Sequence, residues 1–182
     1  MGFNEPDQQT QSNMTPEQAA EAWREIEQYY QNAKLVSPSP LDISWLDDWW
    51  DAYFARFGRS PRIHAVAGHF YGFSDGAQAY KNAVRHLDEL SNFAKRKGVE
   101  AIWITELAQL PCYSDQADTA TFIERIVPVY KQCELVTRIA WFQVTMQGDE
   151  PWGFGAMCNT SLVNWTTGDL TVIGHAYKDA MQ

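Results

Sequence analysis

The sequence of 182 residues is poor in basic side chains, with 14 lysines and arginines against 23 aspartates and glutamates and a formal net charge of −9. Nucleic acids and anionic membrane surfaces hold proteins through clustered Lys and Arg. The acidic balance therefore disfavours both kinds of partner, and a neutral or cationic ligand fits the charge better.

Cysteines and long apolar runs are also scarce. Cys112, Cys133 and Cys158 are odd in number and have no CxxC spacing, so the sequence predicts neither a disulfide framework nor a zinc site. His64 and His69 are five residues apart on one predicted strand and face opposite sides, which disfavours a metal hydrolase. No apolar run approaches the roughly eighteen residues of a transmembrane helix, and no signal sequence opens the chain. We therefore expect no membrane partner, no metal and no cofactor.

Aromatic residues, by contrast, are abundant, with eight Trp, eight Tyr and nine Phe, or 14% of the chain. With 45% hydrophobic residues in all, the composition is sufficient for the core of one domain over residues 1–182. Trp45, Trp49, Tyr53 and Phe57 recur at helical spacing, and that stripe favours core packing over a ligand site. Other aromatic residues remain available to contact a ligand.

Short apolar runs alternate with amphipathic segments along the chain. This alternation is typical of βαβ units and predicts an α/β fold with a parallel sheet. Thr15 is the predicted N-cap of the first helix, and Gly58 the predicted C-cap of the second. The predicted strands are a stub at the start and residues 34–37, 62–72, 100–108 and 136–144. The predicted helices cover residues 16–32, 44–57, 79–97, 117–133 and 171–181.

Polar residues stand where several predicted strands end, and two of them are glutamates. Glu5 follows the stub, and Glu106 ends the strand of WITEL. Glycoside hydrolysis requires two carboxyl groups, one to protonate the leaving oxygen and one to attack or to activate water. Asn4 could hydrogen-bond a sugar hydroxyl, and Tyr71 or Trp141 could stack on a pyranose.

Each residue has a simpler interpretation when taken alone. Glu5 could be a solvated carboxylate near a terminus, while His69 and Trp141 could belong to the core. Glu106 is harder to explain without function or a salt bridge, because a carboxylate at the end of an apolar strand is costly to bury unless it is paired.

Several motifs together resemble the catalytic domain of glycoside hydrolase family 128, the Asl1-like glycosyl hydrolases. They are GFNEPDQQTQSNMTPEQAAEAW, GHFYG, WITELA, RIAWF and SLVNWTTGDLTVIGHAY, which together span essentially the whole chain. The resemblance implies a (β/α)8 barrel and hydrolysis of β-1,3-glucan with retention of configuration. By motif, it makes Glu5 the acid/base and Glu106 the nucleophile, and it implies carbohydrate contacts from Asn4, His69, Tyr71 and Trp141.

The resemblance also implies that the chain is the C-terminal portion of a barrel. If Glu5 ends strand four, this chain holds strands four to eight, and the first three strand-helix units are absent from it. Family habit implies a secreted or cell-wall-associated protein, and the oligomeric state is open. Two alternatives remain: a catalytically inactive glycan-binding fragment, and a retaining barrel hydrolase that acts on another β-glucan.

Overall fold

The computed structural model describes residues 1–110, 115–145 and 160–182. Within these ranges strands alternate with helices from β1 onward, as the sequence pattern predicts, but two helices precede β1 with no full strand between them. No helix in these ranges is both long enough and apolar enough to cross a membrane. The elements are α1 Pro16–Tyr29, α2 Ser44–Phe57, β1 Val66–Gly72, α3 Gly76–Lys97, β2 Ile102–Gln109, α4 Gln116–Gln132, β3 Val136–Trp141 and α5 Val172–Met181.

The strands β1, β2 and β3 form a parallel three-stranded sheet in that order. The predicted strand 34–37 forms only an isolated parallel bridge, between Val36 and Ala65, and the stub at the start forms another, between Asn4 and Ser39. A backbone hydrogen bond accompanies each bridge. Ser37 N–H donates to Ala65 O at 3.0 Å, and Ser39 N–H donates to Phe3 O at 3.0 Å. The predicted β character of these two segments is thus confined to short bridges.

The predicted helix caps are confirmed. Gln18 N–H donates to Thr15 Oγ1 at 3.2 Å and Thr15 N–H donates to Gln18 Oε1 at 2.9 Å, which together form a capping box. Gly58 ends α2 with a φ of +67°, a left-handed conformation that glycine adopts without the steric penalty of a Cβ atom. Local sequence chemistry therefore sets these two helix ends.

The chain divides into two compact units. The first unit is Met1–His69 with Asp88–Thr105, and the second is Phe70–Leu87 with Glu106–Gln182. In the first unit, Trp23 and Trp49 meet edge to face at 5.3 Å, and both are buried. In the second unit, Phe70 stacks on Phe122 at 6.3 Å, and α4 packs against α5. The predicted core role of the aromatic stripe on α2 is confirmed for Trp45, Trp49 and Tyr53, which are buried, whereas Phe57 is half-buried.

The first unit also buries a carboxylate. The side chain of Glu27 is 4% exposed and accepts hydrogen bonds from Tyr53 Oη at 2.7 Å, from Arg62 N–H at 2.6 Å and from the Arg59 guanidinium. Burial alone would raise the pKa of Glu27, but these donors outweigh it and hold the pKa below the usual value. Burial and the Glu27 carboxylate together raise the pKa of Tyr53 to about 12. This network holds α1 to α2.

Candidate active site

Glu5 is fixed by the backbone of the first unit. Its N–H donates to Ser39 O at 3.1 Å, which continues the bridge between Asn4 and Ser39. Its φ of +38° lies in the left-handed region, which few residues other than glycine occupy without strain. Glu5 is only 7% exposed, so the interpretation as a solvated terminal carboxylate is wrong. A buried carboxylate held in an unfavourable conformation indicates a specific role.

His69 is the hydrogen-bonding partner of Glu5 in the first unit. The distance from His69 Nδ1 to Glu5 Oε1 is 2.9 Å, and His69 is 1% exposed. An ionised carboxylate can only accept, so Nδ1 carries the proton when Glu5 is charged. His64 is different: it is exposed, and its Nδ1 accepts the backbone N–H of Leu35 at 3.0 Å.

Glu106 has a corresponding partner in the second unit. It lies in β2 and is half-buried, and Tyr71 Oη donates a hydrogen bond to its Oε2. The expectation that this carboxylate is partly buried and paired is therefore confirmed, but Glu106 does not end its strand, because β2 continues to Gln109. A hydroxyl that donates to a carboxylate stabilises its ionised form.

Both partners come from β1. Side chains alternate along a strand, so positions 69 and 71 are on the same face. One face of this strand therefore presents an imidazole that holds Glu5 and a phenol that holds Glu106.

The remaining predicted site residues have other contacts. Asn4 is half-buried, and its Nδ2 donates to Gln11 Oε1 at 3.2 Å. Trp141 is 6% exposed, and its indole N–H donates to Thr160 O at 2.8 Å. Their roles as carbohydrate contacts stay predictions. Cys112, Cys158 and residues 146–159 lie outside the described residues.

The comparisons with known proteins give the family. The model of the family described as "Glycosyl hydrolase catalytic core" matches residues 1–177. The chain belongs to this glycosyl hydrolase family. No match was found among the curated proteins. The sequence motifs pointed to glycoside hydrolase family 128, and similar solved structures confirm that assignment.

Three of these structures show the extent of the similarity. An endo-β-1,3-glucanase from Amycolatopsis mediterranei in complex with laminaritriose is 26% identical with a TM-score of 0.76, covering 98% of this chain and 70% of that one. An endo-β-1,3-glucanase from Pseudomonas viridiflava is 28% identical with a TM-score of 0.73, covering 96% and 66%. A curdlan-specific exo-β-1,3-glucanase from Blastomyces gilchristii is 25% identical with a TM-score of 0.75, covering 97% and 67%. The chain thus spans about two thirds of the length of the solved structures it matches.

In this glycosyl hydrolase, two aromatic rings lie beside Tyr71, the partner of Glu106. The ring of Tyr71 meets Phe142 at 5.7 Å in an edge-to-face arrangement and lies 6.4 Å from the ring of Phe73. Sequence reasoning did not single out Phe73. The run HFYGF contains the signal, because Phe73 follows Tyr71 by two positions and comes directly after the end of β1.

Metal-ligating atoms are present among the candidate residues. Glu5, His69 and Glu106 are residue types that ligate divalent cations. The glycosyl hydrolase chemistry of two carboxyl groups needs no metal. The expected absence of a metal stays a prediction.

Proposed function

We propose that the chain carries both catalytic carboxyl groups of a retaining β-1,3-glucanase, with Glu5 as acid/base and Glu106 as nucleophile. The observation that carries the proposal is the pairing of Glu5 with His69 and of Glu106 with Tyr71. Both partners belong to one face of β1, in a chain of a glycosyl hydrolase family.

The partners support this division of roles. The Tyr71 hydroxyl donates to Glu106 and so favours the carboxylate, which is the form that attacks the anomeric carbon. The His69 imidazole can donate to an ionised Glu5 or, as the other tautomer, accept from a protonated Glu5. An acid/base group must pass through both forms in each catalytic cycle, first giving a proton to the leaving oxygen and then taking one from water.

The similar enzymes support the substrate. The enzymes from Amycolatopsis mediterranei and Pseudomonas viridiflava are endo-β-1,3-glucanases, and the former binds laminari-oligosaccharides. Two different glutamates, about one hundred positions apart, have been substituted in its oligosaccharide complexes. A similar spacing separates Glu5 from Glu106. We infer that a β-glucan chain is the ligand of this protein.

The fold proposal is a single catalytic domain comprising strands four to eight of a (β/α)8 barrel. Five successive strand segments support it: residues 2–5, residues 35–39, β1, β2 and β3. The protein isolated from its source should then exceed the 20.8 kDa of this chain. An intact mass of 20.8 kDa in the source would contradict the proposal that the natural protein has three further strand-helix units. Recovery of the protein from the culture medium or cell wall would support the expected localisation, and recovery from the cytosol alone would contradict it.

The catalytic pair is tested by substituting each glutamate with glutamine. Purified chain should release reducing sugar from laminarin, and Glu5→Gln and Glu106→Gln should each lower kcat by at least about a thousandfold, since each removes a required carboxyl group. Glu124→Gln is the matched control, because Glu124 is exposed on α4. Undiminished activity of Glu106→Gln would refute its role as nucleophile.

The alternatives have distinct outcomes in the same assay. Binding of laminarin without release of reducing sugar would support the inactive glycan-binding fragment. Faster release from a β-1,4-glucan or mixed-linkage glucan than from laminarin would support another β-glucan specificity. Activity that survives a chelator such as EDTA would agree with a metal-independent reaction, whereas loss restored by a divalent cation would contradict it.

A further inference from the structure

We propose that Phe73 forms a stacking platform for a glucosyl unit adjacent to the one that reacts at Glu106. The proposal rests on the proposed function, because it assigns the ligand of Phe73 as β-1,3-glucan. Phe73 is 52% exposed, although it directly follows the buried end of β1. A large aromatic ring exposed beside a candidate catalytic group is a typical element of a ligand site.

The placement of the ring follows from contacts within the second unit. Tyr71 donates to Glu106 and marks the reacting position. The Phe73 ring centroid lies 6.4 Å from that of Tyr71, and the two ring planes are inclined by 39°. Because Phe73 is one side-chain position farther along this end of β1, it serves the neighbouring sugar unit instead of the reacting one.

The backbone on both sides of Phe73 is held firmly. Leu110 N–H donates to Gly72 O at 3.0 Å, and Gln109 Nε2 donates to Ser74 O at 2.8 Å. Gln109 is fully buried and also accepts a hydrogen bond from Thr119. Gly72 cannot be replaced without movement, because an added Cβ would lie 2.9 Å from the Ala79 Cβ. A backbone held in this way loses little conformational entropy when a sugar binds to the ring that it carries.

The charge of the site suits a neutral sugar. The formal net charge of the chain is −9, and the group beside Tyr71 is the Glu106 carboxylate, so an anionic ligand would be repelled. A pyranose offers apolar C–H groups to an aromatic face and hydroxyls to polar neighbours. An uncharged glucan chain therefore fits the exposed face of Phe73.

The test measures binding and hydrolysis separately on the full chain. In a Glu106→Gln background, Phe73→Ala should weaken laminarihexaose binding about tenfold, while Phe73→Tyr should retain it. In the active chain, Phe73→Ala should raise KM for long laminari-oligosaccharides more than for the shortest one cleaved, with little change in kcat. Phe54→Ala is the matched control, because Phe54 is 53% exposed on the helix α2.

The outcomes separate this inference from the proposed function. Equal binding and equal KM for Phe73→Ala and the unsubstituted chain would overturn the platform and leave the glucanase proposal intact. If the unsubstituted chain hydrolyses no glucan but Phe73→Ala weakens laminarihexaose binding, the glucanase proposal is overturned and the platform is supported. If laminarihexaose binds neither to the active chain nor to the Glu106→Gln variant, the platform is overturned as well. An unchanged melting temperature in Phe73→Ala would show that lost binding is not a folding defect.

Discussion

The side chains of His69 and Tyr71 give different surroundings to two chemically identical residues, Glu5 and Glu106. Glu5 is buried beside an imidazole that can either donate a hydrogen bond to it or accept one from it. Glu106 is half-buried beside a hydroxyl that donates a hydrogen bond to it. Catalytic carboxyl groups with different roles need environments that favour different protonation states. The partners of the two glutamates differ in chemistry and come from adjacent same-face positions of one strand.

Tyr71→Phe should therefore lower kcat for laminarin by about ten- to a hundredfold, because it removes a hydrogen bond to a charged group. KM should change little if the bond matters mainly in the transition state. Steady-state kinetics of the purified variant measures both. Tyr80→Phe is the control, since the Tyr80 ring packs against the Arg125 guanidinium. A kcat unchanged by Tyr71→Phe would contradict a role for the hydroxyl in positioning Glu106 or in stabilising its carboxylate.

Sequence reasoning identified both glutamates but not the partner of either. Glu5 and His69 are 64 residues apart, and Tyr71 and Glu106 are 35 residues apart, so their contacts depend on how the chain folds. Local pattern does not contain that information. The burial of Trp141 against Thr160 and Tyr177 likewise depends on tertiary packing.

At the scale of elements, helices were predicted better than strands. Thr15 and Gly58 carry their own capping chemistry, so the sequence marks those ends directly. The helix α1 ends at Tyr29, short of the predicted residue 32, and its last turn has neither a glycine cap nor a basic residue that would mark this end in the sequence. The apolar run 62–72 forms a ladder only over Val66–Gly72. A strand extends only as far as its neighbours pair with it, and a single run of sequence does not show where they do.

The network around Glu27 connects two helices, and its effect on stability should depend on pH. The pKa of Glu27 is lowered in the folded protein, so its contribution is fully present above the ordinary value of 4.5 and is lost as the pH falls through the lower folded value. Glu27→Gln should reduce the free energy of unfolding at pH 7 by about 2 kcal/mol, because it weakens the hydrogen bonds that Tyr53, Arg59 and Arg62 donate to a buried carboxylate. Urea unfolding at pH 7, 4 and 3 measures both effects.

The control for this experiment lies on the same helix. Glu21 pairs with Arg56, but their side chains are 54% and 64% exposed, so Glu21→Gln should cost less than about 1 kcal/mol. The difference in stability between the unsubstituted chain and Glu27→Gln should shrink as the pH falls below 4.5. An equal effect of Glu21→Gln and Glu27→Gln, or a difference that does not vary with pH, would contradict the network.

At the scale of the whole molecule, composition and family membership agree. An acidic chain rich in aromatic residues suits an uncharged polysaccharide, and the glycosyl hydrolase model matches residues 1–177. The chain nevertheless spans about two thirds of the length of similar glucanases. Both proposed catalytic glutamates lie within that span, and for this reason the chain itself is a suitable subject for an activity assay.

The stereochemistry of the first product tests the central claim most directly. A nucleophilic Glu106 forms a covalent glycosyl intermediate on one face of the sugar, and water then attacks from the other, so configuration is retained. Proton NMR recorded in the first minutes of laminarihexaose hydrolysis should show the β-anomer of the new reducing end before mutarotation. First appearance of the α-anomer would contradict the assignment of Glu106 as nucleophile.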